Sequence, residues 1–260
     1  MLLLLLACQA TADPVVVSTA AAPTDPDAAN VGADVEASTV RAAFPLPAGT
    51  SRVDGGAFGE WLGAMTVRPA DVTVRTHDGR TVGHDARVIE LPLVKGDLQQ
   101  CADSAIRLRA EWLKATGGEI MYHSTSGDPM PWSRYAGGET PYAAGNDLAW
   151  RPGGDKSWDG YLRSVFMYAG TRSLALDTEA VDAPIPGDIV VVPGGPGHAV
   201  VLLDVAKRGD ETLVLVGEGF MPAQDFHVEL GPVDGWWAWD DGVELDHWTL
   251  PASGLRRWSR

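Results

Sequence analysis

A cysteine and a histidine, far apart in the chain, could together perform nucleophilic chemistry. Cys101 lies in the segment Gln-Gln-Cys-Ala-Asp at residues 99–103, and His198 follows the turn Gly-Gly-Pro-Gly at residues 194–197. A cysteine attacks as its thiolate, and a neighbouring histidine takes the thiol proton and stabilises the thiolate. This pair of residues would suit a thiol hydrolase if the fold brings the two side chains together.

The segment that carries Cys101 predicts an amphipathic helix over residues 97–116. Asp97, with Gln100 three residues later, matches a capping box, and Gly117 follows the last turn. Apolar residues recur at spacings of four, three and four: Cys101, Ala105, Leu108 and Trp112. With Asp97 as N-cap, Cys101 lies in the second turn, where the field of the helix dipole has faded. A cysteine packed in the core is therefore the alternative to a nucleophile.

His198 lies between two apolar runs that predict strands, residues 186–192 and 199–205. A third run, residues 212–216, follows a turn at residues 207–210 and predicts the next strand. A histidine that opens an apolar strand needs a polar partner or water. A histidine of a hairpin loop, without a chemical role, is the alternative for His198.

The remaining elements predict an α+β fold, with helices segregated in sequence from an antiparallel sheet. Residues 57–65 and 158–168 have helical spacing of apolar residues. Residues 72–74 and 80–91 predict strands joined by a turn at residues 76–79, which contains Asp-Gly. Residues 117–156 are rich in Gly, Pro and aromatic residues and have little periodicity, so a functional loop is expected there. The tryptophans of the tail after residue 235 are expected to pack in the core.

The histidine hairpin resembles that of NlpC-type and CHAP-type cell-wall hydrolases. Pro-Gly-Asp-Ile-Val-Val-Val at residues 186–192, followed by Gly-His-Ala-Val-Val at residues 197–201, carries this resemblance. A cysteine on a helix followed by a histidine on a strand is also the chain order of papain-like thiol hydrolases. The resemblance implies a papain-like or NlpC-like fold, in which the helix carrying Cys101 packs on an antiparallel sheet.

The same resemblance implies roles for further residues. A polar residue on the next strand orients the imidazole in these families, which points to Glu218, with Gln224 as the second candidate. The oxyanion would be held by the backbone N–H of Cys101 and by an amide of Gln99 or Gln100. An exposed carboxylate at a strand end is the alternative for Glu218.

A second resemblance covers most of the chain, from residue 41 to residue 260. The segments that carry it are Asp-Leu-Gln-Gln-Cys-Ala-Asp at 97–103, Tyr-Ala-Gly-Thr at 168–171, Pro-Gly-His-Ala-Val at 196–200 and Met-Pro-Ala-Gln at 221–224. They are similar to the bacterial lipoprotein family of domain of unknown function 4846. The similarity implies a lipoprotein of the envelope and no established activity.

The amino terminus predicts export and lipid anchoring. Leu-Leu-Ala-Cys at residues 5–8 resembles a bacterial lipobox, in which Cys8 is lipidated and becomes the mature amino terminus. No Lys or Arg precedes the apolar run, a departure that a start codon upstream of Met1 explains. Residues 9–40 have a composition typical of a disordered tether. The predicted organisation is a signal segment at 1–8, the tether at 9–40 and a single α+β domain at 41–260.

The composition limits the partners. The formal charge of −15 argues against nucleic acid or an anionic membrane face as partner. If Cys8 is acylated, Cys101 is the only thiol left and cannot form a disulfide within the chain. The expected location is the bacterial cell envelope, with a membrane bound through the lipid and peptidoglycan or a peptide as substrate.

Two functions therefore remain in view. The first is an envelope-tethered thiol hydrolase that cleaves amide bonds of the cell wall or a related substrate. The second is a non-catalytic binding or scaffolding lipoprotein of the same fold, with residues 117–156 as its binding surface. A metal site of Cys101, His198, Glu218 and His227 is conceivable, but the sequence has no close His/Cys ligand pair, so neither a metal nor a cofactor is expected.

Overall fold

Three apolar runs rich in β-branched residues form adjacent antiparallel strands at the centre of the structure, a computed structural model that describes residues 38–259. The helices of this part of the chain are α1 Val40–Ala43, α2 Gly56–Gly63, α3 Cys101–Thr116, α4 Trp132–Ala136, α5 Trp158–Tyr168, α6 Leu174–Asp177 and a 3-10 turn at Ala252–Gly254. The strands are β1 Ser38–Thr39, β2 Ser51–Arg52, β3 Thr66–Val67, β4 Ala86–Val88, β5 Met121–His123, β6 Pro129–Pro131, β7 Glu139–Ala144, β8 Asp147–Pro152, β9 Thr178–Ala180, β10 Ile189–Val192, β11 His198–Arg208, β12 Glu211–Glu218, β13 His227–Glu229, β14 Trp237–Trp239, β15 Gly242–Glu244, β16 Thr249–Pro251 and β17 Leu255–Trp258.

The main sheet is antiparallel throughout and runs in the order β4-β13-β12-β11-β10-β17-β9. The other end of β12 also pairs with β14, and β2 pairs with β11. The long central pair β11 and β12 keeps one register from Arg208↔Glu211 to Asp204↔Leu215 and shifts between Leu202 and Asp204. Strand β14 pairs with the first residues of β12, and β13 pairs with its last residues, so Glu218 at the end of β12 lies beside β13.

The central strands are buried on both faces. In β12, Leu213 and Leu215 belong to the larger core cluster, together with Ala105, Ile106 and Leu108 of α3. The alternate residues of the strand, Val214 and Val216, belong to a second cluster with residues of the tail, such as Val243 and Leu250. This alternation follows from the period of two in a strand, and it places α3 on one face of the sheet and the tail on the other.

Several predicted elements are confirmed, with shifted ends. The helix predicted over residues 158–168 is α5 at Trp158–Tyr168, and the three apolar runs are β10, β11 and β12. The strands predicted at 72–74 and 80–91 are wrong in extent, because only Ala86–Val88 forms a strand and Arg75↔Thr81 pair as an isolated bridge. The turn predicted at residues 76–79 is present, with a hydrogen bond from the N–H of Gly79 to the carbonyl oxygen of Thr76.

The segment 117–156 is not a loop. It contains two hairpins, β5–β6 and β7–β8, with the short helix α4 between them. Trp132, Tyr135, Trp158 and Tyr161 pack as a cluster of rings at its base. Trp132 and Tyr135 of this segment therefore pack against Trp158 and Tyr161 of α5.

The predicted class is confirmed, since the chain is α+β with a mainly antiparallel sheet. The described residues, 38–259, fall within one compact unit. The predicted signal segment at residues 1–8 and all of the tether except residues 38–40 lie outside the described residues. Residues 38–40 form β1 and the start of α1, so these three residues of the predicted tether have regular structure.

Candidate active site

Cys101 is the first residue of α3, a helix of 16 residues whose N-cap is Gln100. The backbone N–H of Gln100 donates to Oδ2 of Asp103 at 3.0 Å, the reciprocal half of a capping box. The predicted N-cap, Asp97, is wrong, because its Oδ1 accepts from the backbone N–H of Ala223 at 2.6 Å. Cys101 therefore lies in the first turn of the helix, where the dipole favours negative charge, and not in the second.

His198 opens β11, and α3 packs against this strand. The pairing of Val192 with His198 closes the hairpin around the glycine turn. The Cys101 thiol lies close enough to the His198 imidazole to raise the pKa of the ring. Helix α3 and the histidine hairpin thus bring the two predicted residues together.

Glu218 ends β12 and faces the other side of the imidazole. Nε2 of His198 lies 2.7 Å from Oε2 of Glu218, and the two side chains are 1% and 2% exposed. The carboxylate accepts the N–H of Nε2, which leaves Nδ1 as the ring nitrogen available to the thiol. The alternative of an exposed carboxylate at a strand end does not describe Glu218.

A second histidine that sequence reasoning missed completes this group. Nε2 of His247 lies 3.0 Å from Oε1 of Glu218, so both carboxylate oxygens have an imidazole partner. The rings of Phe220 and Trp248 lie 5.3 Å and 5.0 Å from the ring of His198, measured between centroids, and enclose it. His247 lies in an irregular segment of the tail, and no motif or periodicity in the sequence marks it.

The electrostatics of the site favour a charged imidazole. Burial lowers the pKa of His198, but hydrogen bonds to Cys101 and Glu218 outweigh this effect and raise the pKa to about 9. Burial alone would raise the pKa of Glu218, yet the hydrogen bonds from His198 and His247 hold it below its usual value. Burial raises the pKa of Asp103 to about 8, so this carboxyl is largely neutral at pH 7 and does not oppose a thiolate.

A cleft of about 290 Å³ opens above Cys101. Gln100, Gly170, Thr171, the glycine turn at residues 194–197 and Met221 are among its lining residues. Cys101 itself is 8% exposed and lines the cleft, so its sulfur lies at the boundary between core and cleft. A group bound in the cleft would meet both the thiol and the first backbone N–H groups of α3, which have no acceptor within the helix.

The predicted glutamines take different places. Gln100 lines the cleft, and its Nε2 donates to Oδ1 of Asp97 at 3.2 Å. Gln99 is fully buried, its Oε1 accepts from the N–H of Val94 and from Arg107, and its Nε2 has no hydrogen-bond partner among the described residues, so its oxyanion role stays a prediction. Gln224 pairs with Thr76 across an isolated bridge and lines a different cavity. Of the two candidates for orienting His198, Glu218 and Gln224, it is Glu218 that hydrogen-bonds to the imidazole.

That larger cavity, of about 700 Å³, lies on the Glu218 side of the site and shares Met221 with the cleft. His84, Glu229 and His247 also line it. Within the described residues, two groups place their potential ligand atoms close enough to hold an ion, namely His84 with His227 and Glu229, and His198 with Glu218 and His247. Neither group is the set that the sequence suggested, since Cys101 belongs to neither and His227 is separated from His198.

A signal for the first group is present in the sequence. His227 and Glu229 are two residues apart on β13, so their side chains point to the same face. The pairing of β13 with β4 brings the loop that carries His84 to the same edge, and that proximity is a product of the fold.

Cys8, the predicted lipidation site, lies outside the described residues. None of the helices in residues 38–259 combines the length and the apolar character that crossing a membrane requires. The anchoring of the chain therefore remains a prediction from the sequence.

Comparison with known proteins gives one match. The family model described as "Domain of unknown function (4846)" matches residues 40–257. No curated protein matches, and no solved structure matches. The matched range includes Cys101, His198 and Glu218.

Proposed function

The chain belongs to the family of domain of unknown function 4846, and we propose that it is a thiol hydrolase of the cell envelope that cleaves amide bonds of the cell wall or of a peptide. The observation that carries the proposal is that the three predicted residues lie together: Cys101 beside the imidazole of His198, and Glu218 hydrogen-bonded to its Nε2. The papain-like arrangement is supported by a cysteine at the start of α3, packed against the strand that carries the histidine.

Each residue has a distinct role in the proposed reaction. Sγ of Cys101, as thiolate, attacks the carbonyl carbon of the amide, and the imidazolium of His198 donates its proton to the leaving nitrogen as the C–N bond breaks. The product is a thioester on Cys101. Water then gives a proton to His198 and attacks the thioester, which releases the acid and restores the thiol and histidine.

The surroundings favour this sequence of steps. The start of α3 stabilises the thiolate through the helix dipole, and the N–H of Cys101 can donate to the developing oxyanion. Glu218 holds the imidazole in the required tautomer and stabilises its charged form. His247 keeps the second oxygen of Glu218 occupied, so the carboxylate is held in one orientation.

The site of action is proposed from the amino terminus. Acylation of Cys8 would attach the chain to a membrane, and residues 9–37 would let the folded part reach the cell wall. This places the substrate within reach of a tethered enzyme and accounts for a solitary thiol in an exported chain.

The test is hydrolysis of isolated peptidoglycan fragments and of a set of peptides by the purified chain, followed by mass spectrometry. We expect new amines and acids with the wild type and none with Cys101→Ala. His198→Ala should lower kcat/KM by about 10²- to 10⁴-fold, the usual contribution of a general acid or base. Absence of both cleavage and a thioester with these substrates, from a chain that binds them, would favour the second candidate.

That second candidate is a binding module, and one observation favours it. On the β7–β8 hairpin, the guanidinium of Arg151 lies 5.0 Å from the ring of Tyr142, and the guanidinium of Arg134, on α4, lies 4.7 Å from the ring of Trp150. Both rings are partly exposed. Arginines stacked on such rings are common at protein interfaces, where Tyr, Trp and Arg contribute most of the binding energy.

A further inference from the structure

A cluster of two histidines and a glutamate contains neither Cys101 nor His198. His227 and Glu229 are on β13, and His84 is in the loop that precedes β4. His227 is fully buried and Glu229 is 8% exposed, while the His84 side chain is about one third exposed. The cluster therefore has two members fixed in the sheet and one at the cavity surface.

Each of the three side chains places one potential ligand atom close to those of the other two. Nε2 of His84 lies 3.1 Å from Nε2 of His227 and 3.0 Å from Oε1 of Glu229. Nε2 of His227 lies 2.9 Å from the same oxygen of Glu229. The three atoms thus form a nearly equilateral triangle.

The backbone fixes the tautomer of the buried histidine. Nδ1 of His227 lies 2.8 Å from the carbonyl oxygen of Asp225, and because a carbonyl oxygen can only accept, Nδ1 carries the hydrogen. When the ring of His227 is neutral, its Nε2 therefore carries a lone pair, and this lone pair faces those of the Glu229 carboxylate. A hydrogen bond would join only two of the three atoms of the triangle, whereas a cation above the triangle would contact all three.

We propose that His84, His227 and Glu229 bind a divalent first-row transition-metal ion. Imidazole and carboxylate are suitable ligands for Zn²⁺ and its neighbours, and the hydrogen bond from Nδ1 to a backbone carbonyl is the usual support of a ligating histidine. If an ion lay about 2.1 Å from each of the three atoms, the ligand–ion–ligand angles would be about 90°. Such angles suit three ligands on one face of an octahedron.

The position of the cluster leaves part of the ion's coordination shell free. His84 and Glu229 line the cavity of about 700 Å³, so an ion held there would face that cavity on its open side. The ligand class for the open positions is water or the oxygen of a carboxylate, since oxygen donors complete such sites. Oε1 of Glu218 lies 3.8 Å from Nε2 of His227, beyond the triangle, and is held by His247.

This site is separate from the proposed hydrolase, because neither Cys101 nor His198 belongs to it. The two hypotheses can therefore fail independently. A Cys101→Ser variant should lose hydrolysis and keep the metal, and a His84→Gln variant should lose the metal whether or not hydrolysis exists.

The experiment uses the full chain, purified without a polyhistidine tag and treated with a chelator. Titration with Zn²⁺ in a calorimeter should give one equivalent of tight binding, and Co²⁺ should give a visible absorption band. Mg²⁺ should give neither, because it prefers oxygen ligands. Zn²⁺ should also raise the Tm of the wild type, since an ion that binds only the folded state stabilises it.

Variants identify the ligands. His84→Gln should lower the affinity for Zn²⁺ by at least about tenfold, as should Glu229→Gln. Because the His84 side chain is partly exposed, its variant is expected to fold even if a change at buried His227 is not tolerated. The matched controls His123→Gln and Cys101→Ser should bind as the wild type does.

Two results would overturn the proposal. One is the absence of stoichiometric Zn²⁺ and Co²⁺ binding by the folded wild type. The other is binding that is unchanged in both His84→Gln and Glu229→Gln, and its loss in Cys101→Ser or His247→Gln would then assign the ion to the cysteine site or to Glu218.

Discussion

Nε2 of His198 lies 2.7 Å from Oε2 of Glu218, and both side chains are almost wholly buried. A buried carboxylate that accepts the hydrogen of Nε2 fixes the ring so that its other nitrogen faces Cys101. This arrangement stabilises the imidazolium of His198, which in the proposed reaction would stabilise a thiolate at Cys101. The first predictions concern this relationship.

Cys101 should react with iodoacetamide at pH 6 faster than an ordinary cysteine, whose thiol ionises near pH 8.5. The reason is that the charged His198 stabilises the thiolate. His198→Ala should return the rate and its pH profile to those of an ordinary thiol, and His123→Gln, a histidine outside the site, should change neither. Mass spectrometry of the alkylated chain measures the rate. Resistance of Cys101 until the chain is denatured would assign it to the core.

Glu218→Gln should have a smaller effect on that reaction than His198→Ala. An amide can still accept the N–H of Nε2, but it supplies no negative charge to stabilise the imidazolium. The upper limb of the alkylation profile, where His198 loses its proton, should therefore move to lower pH. Rates measured from pH 5 to pH 10 check this, and an unchanged upper limb would show that the carboxylate does not act on His198.

The free energy of unfolding should fall as the pH rises from about 6.5 to about 9. The pKa of His198 is near 6.5 in the unfolded chain and about 9 in the folded one, so in this window the folded state binds more protons. The stabilisation is fully present below pH 6.5 and is lost as the pH passes 9. His84 and His247 also have raised pKa values, through their hydrogen bonds to Glu229 and Glu218, and act in the same direction.

A comparison of variants isolates the share of His198. The difference in free energy of unfolding between wild type and His198→Gln, measured by urea denaturation, should shrink between pH 6.5 and pH 9. A difference that stays constant over this range would contradict the raised pKa.

Gly219→Ala should destabilise the fold at the contact between the end of β12 and the start of α3. A Cβ at residue 219 would lie 2.4 Å from Oγ of Ser104 and 3.2 Å from the carbonyl oxygen of Gln100. Overpacking of this kind costs about 1–3 kcal/mol. Ser104→Ala, which removes a buried hydroxyl without a hydrogen-bond partner, should recover part of the loss in the double variant. Additive effects of the two changes in urea denaturation would rule out this contact.

The full-length chain, expressed in a bacterium, should partition into the detergent phase of a Triton X-114 extract. Cys8→Ser should move it to the aqueous phase, because the acyl chains that anchor it would be absent. Cys101→Ser serves as the matched control and should stay in the detergent phase. Equal partitioning of wild type and Cys8→Ser would contradict lipid anchoring.

The sequence by itself determined the elements that hold the site. Apolar runs bounded by glycine turns predicted β10, β11 and β12, and the spacing of apolar residues predicted α5 and most of α3. The family could also be identified from its motifs, and the family model confirms it. These features are local or nearly so, and propensity and periodicity report them directly.

Only the tertiary structure decided where α3 begins. Asp97 and Gln100 both suit an N-cap, and in the structure the helix begins after Gln100, while the carboxylate of Asp97 accepts from the backbone N–H of Ala223. That contact joins residues 126 positions apart, so no local pattern contains it. The later start of the helix has a chemical consequence, since it places Cys101 in the first turn.

The same holds for the histidines that the sequence analysis missed. His247 reaches Glu218 from the tail, and His84 reaches Glu229 and His227 from the other end of the chain. The position of His84 results from the order of strands in the main sheet, which brings β4, β13 and the end of β12 side by side, and that of His247 from the packing of the tail against this sheet. A sequence predicts which side chains can ionise or ligate, but which of them meet is decided by long-range pairing and packing.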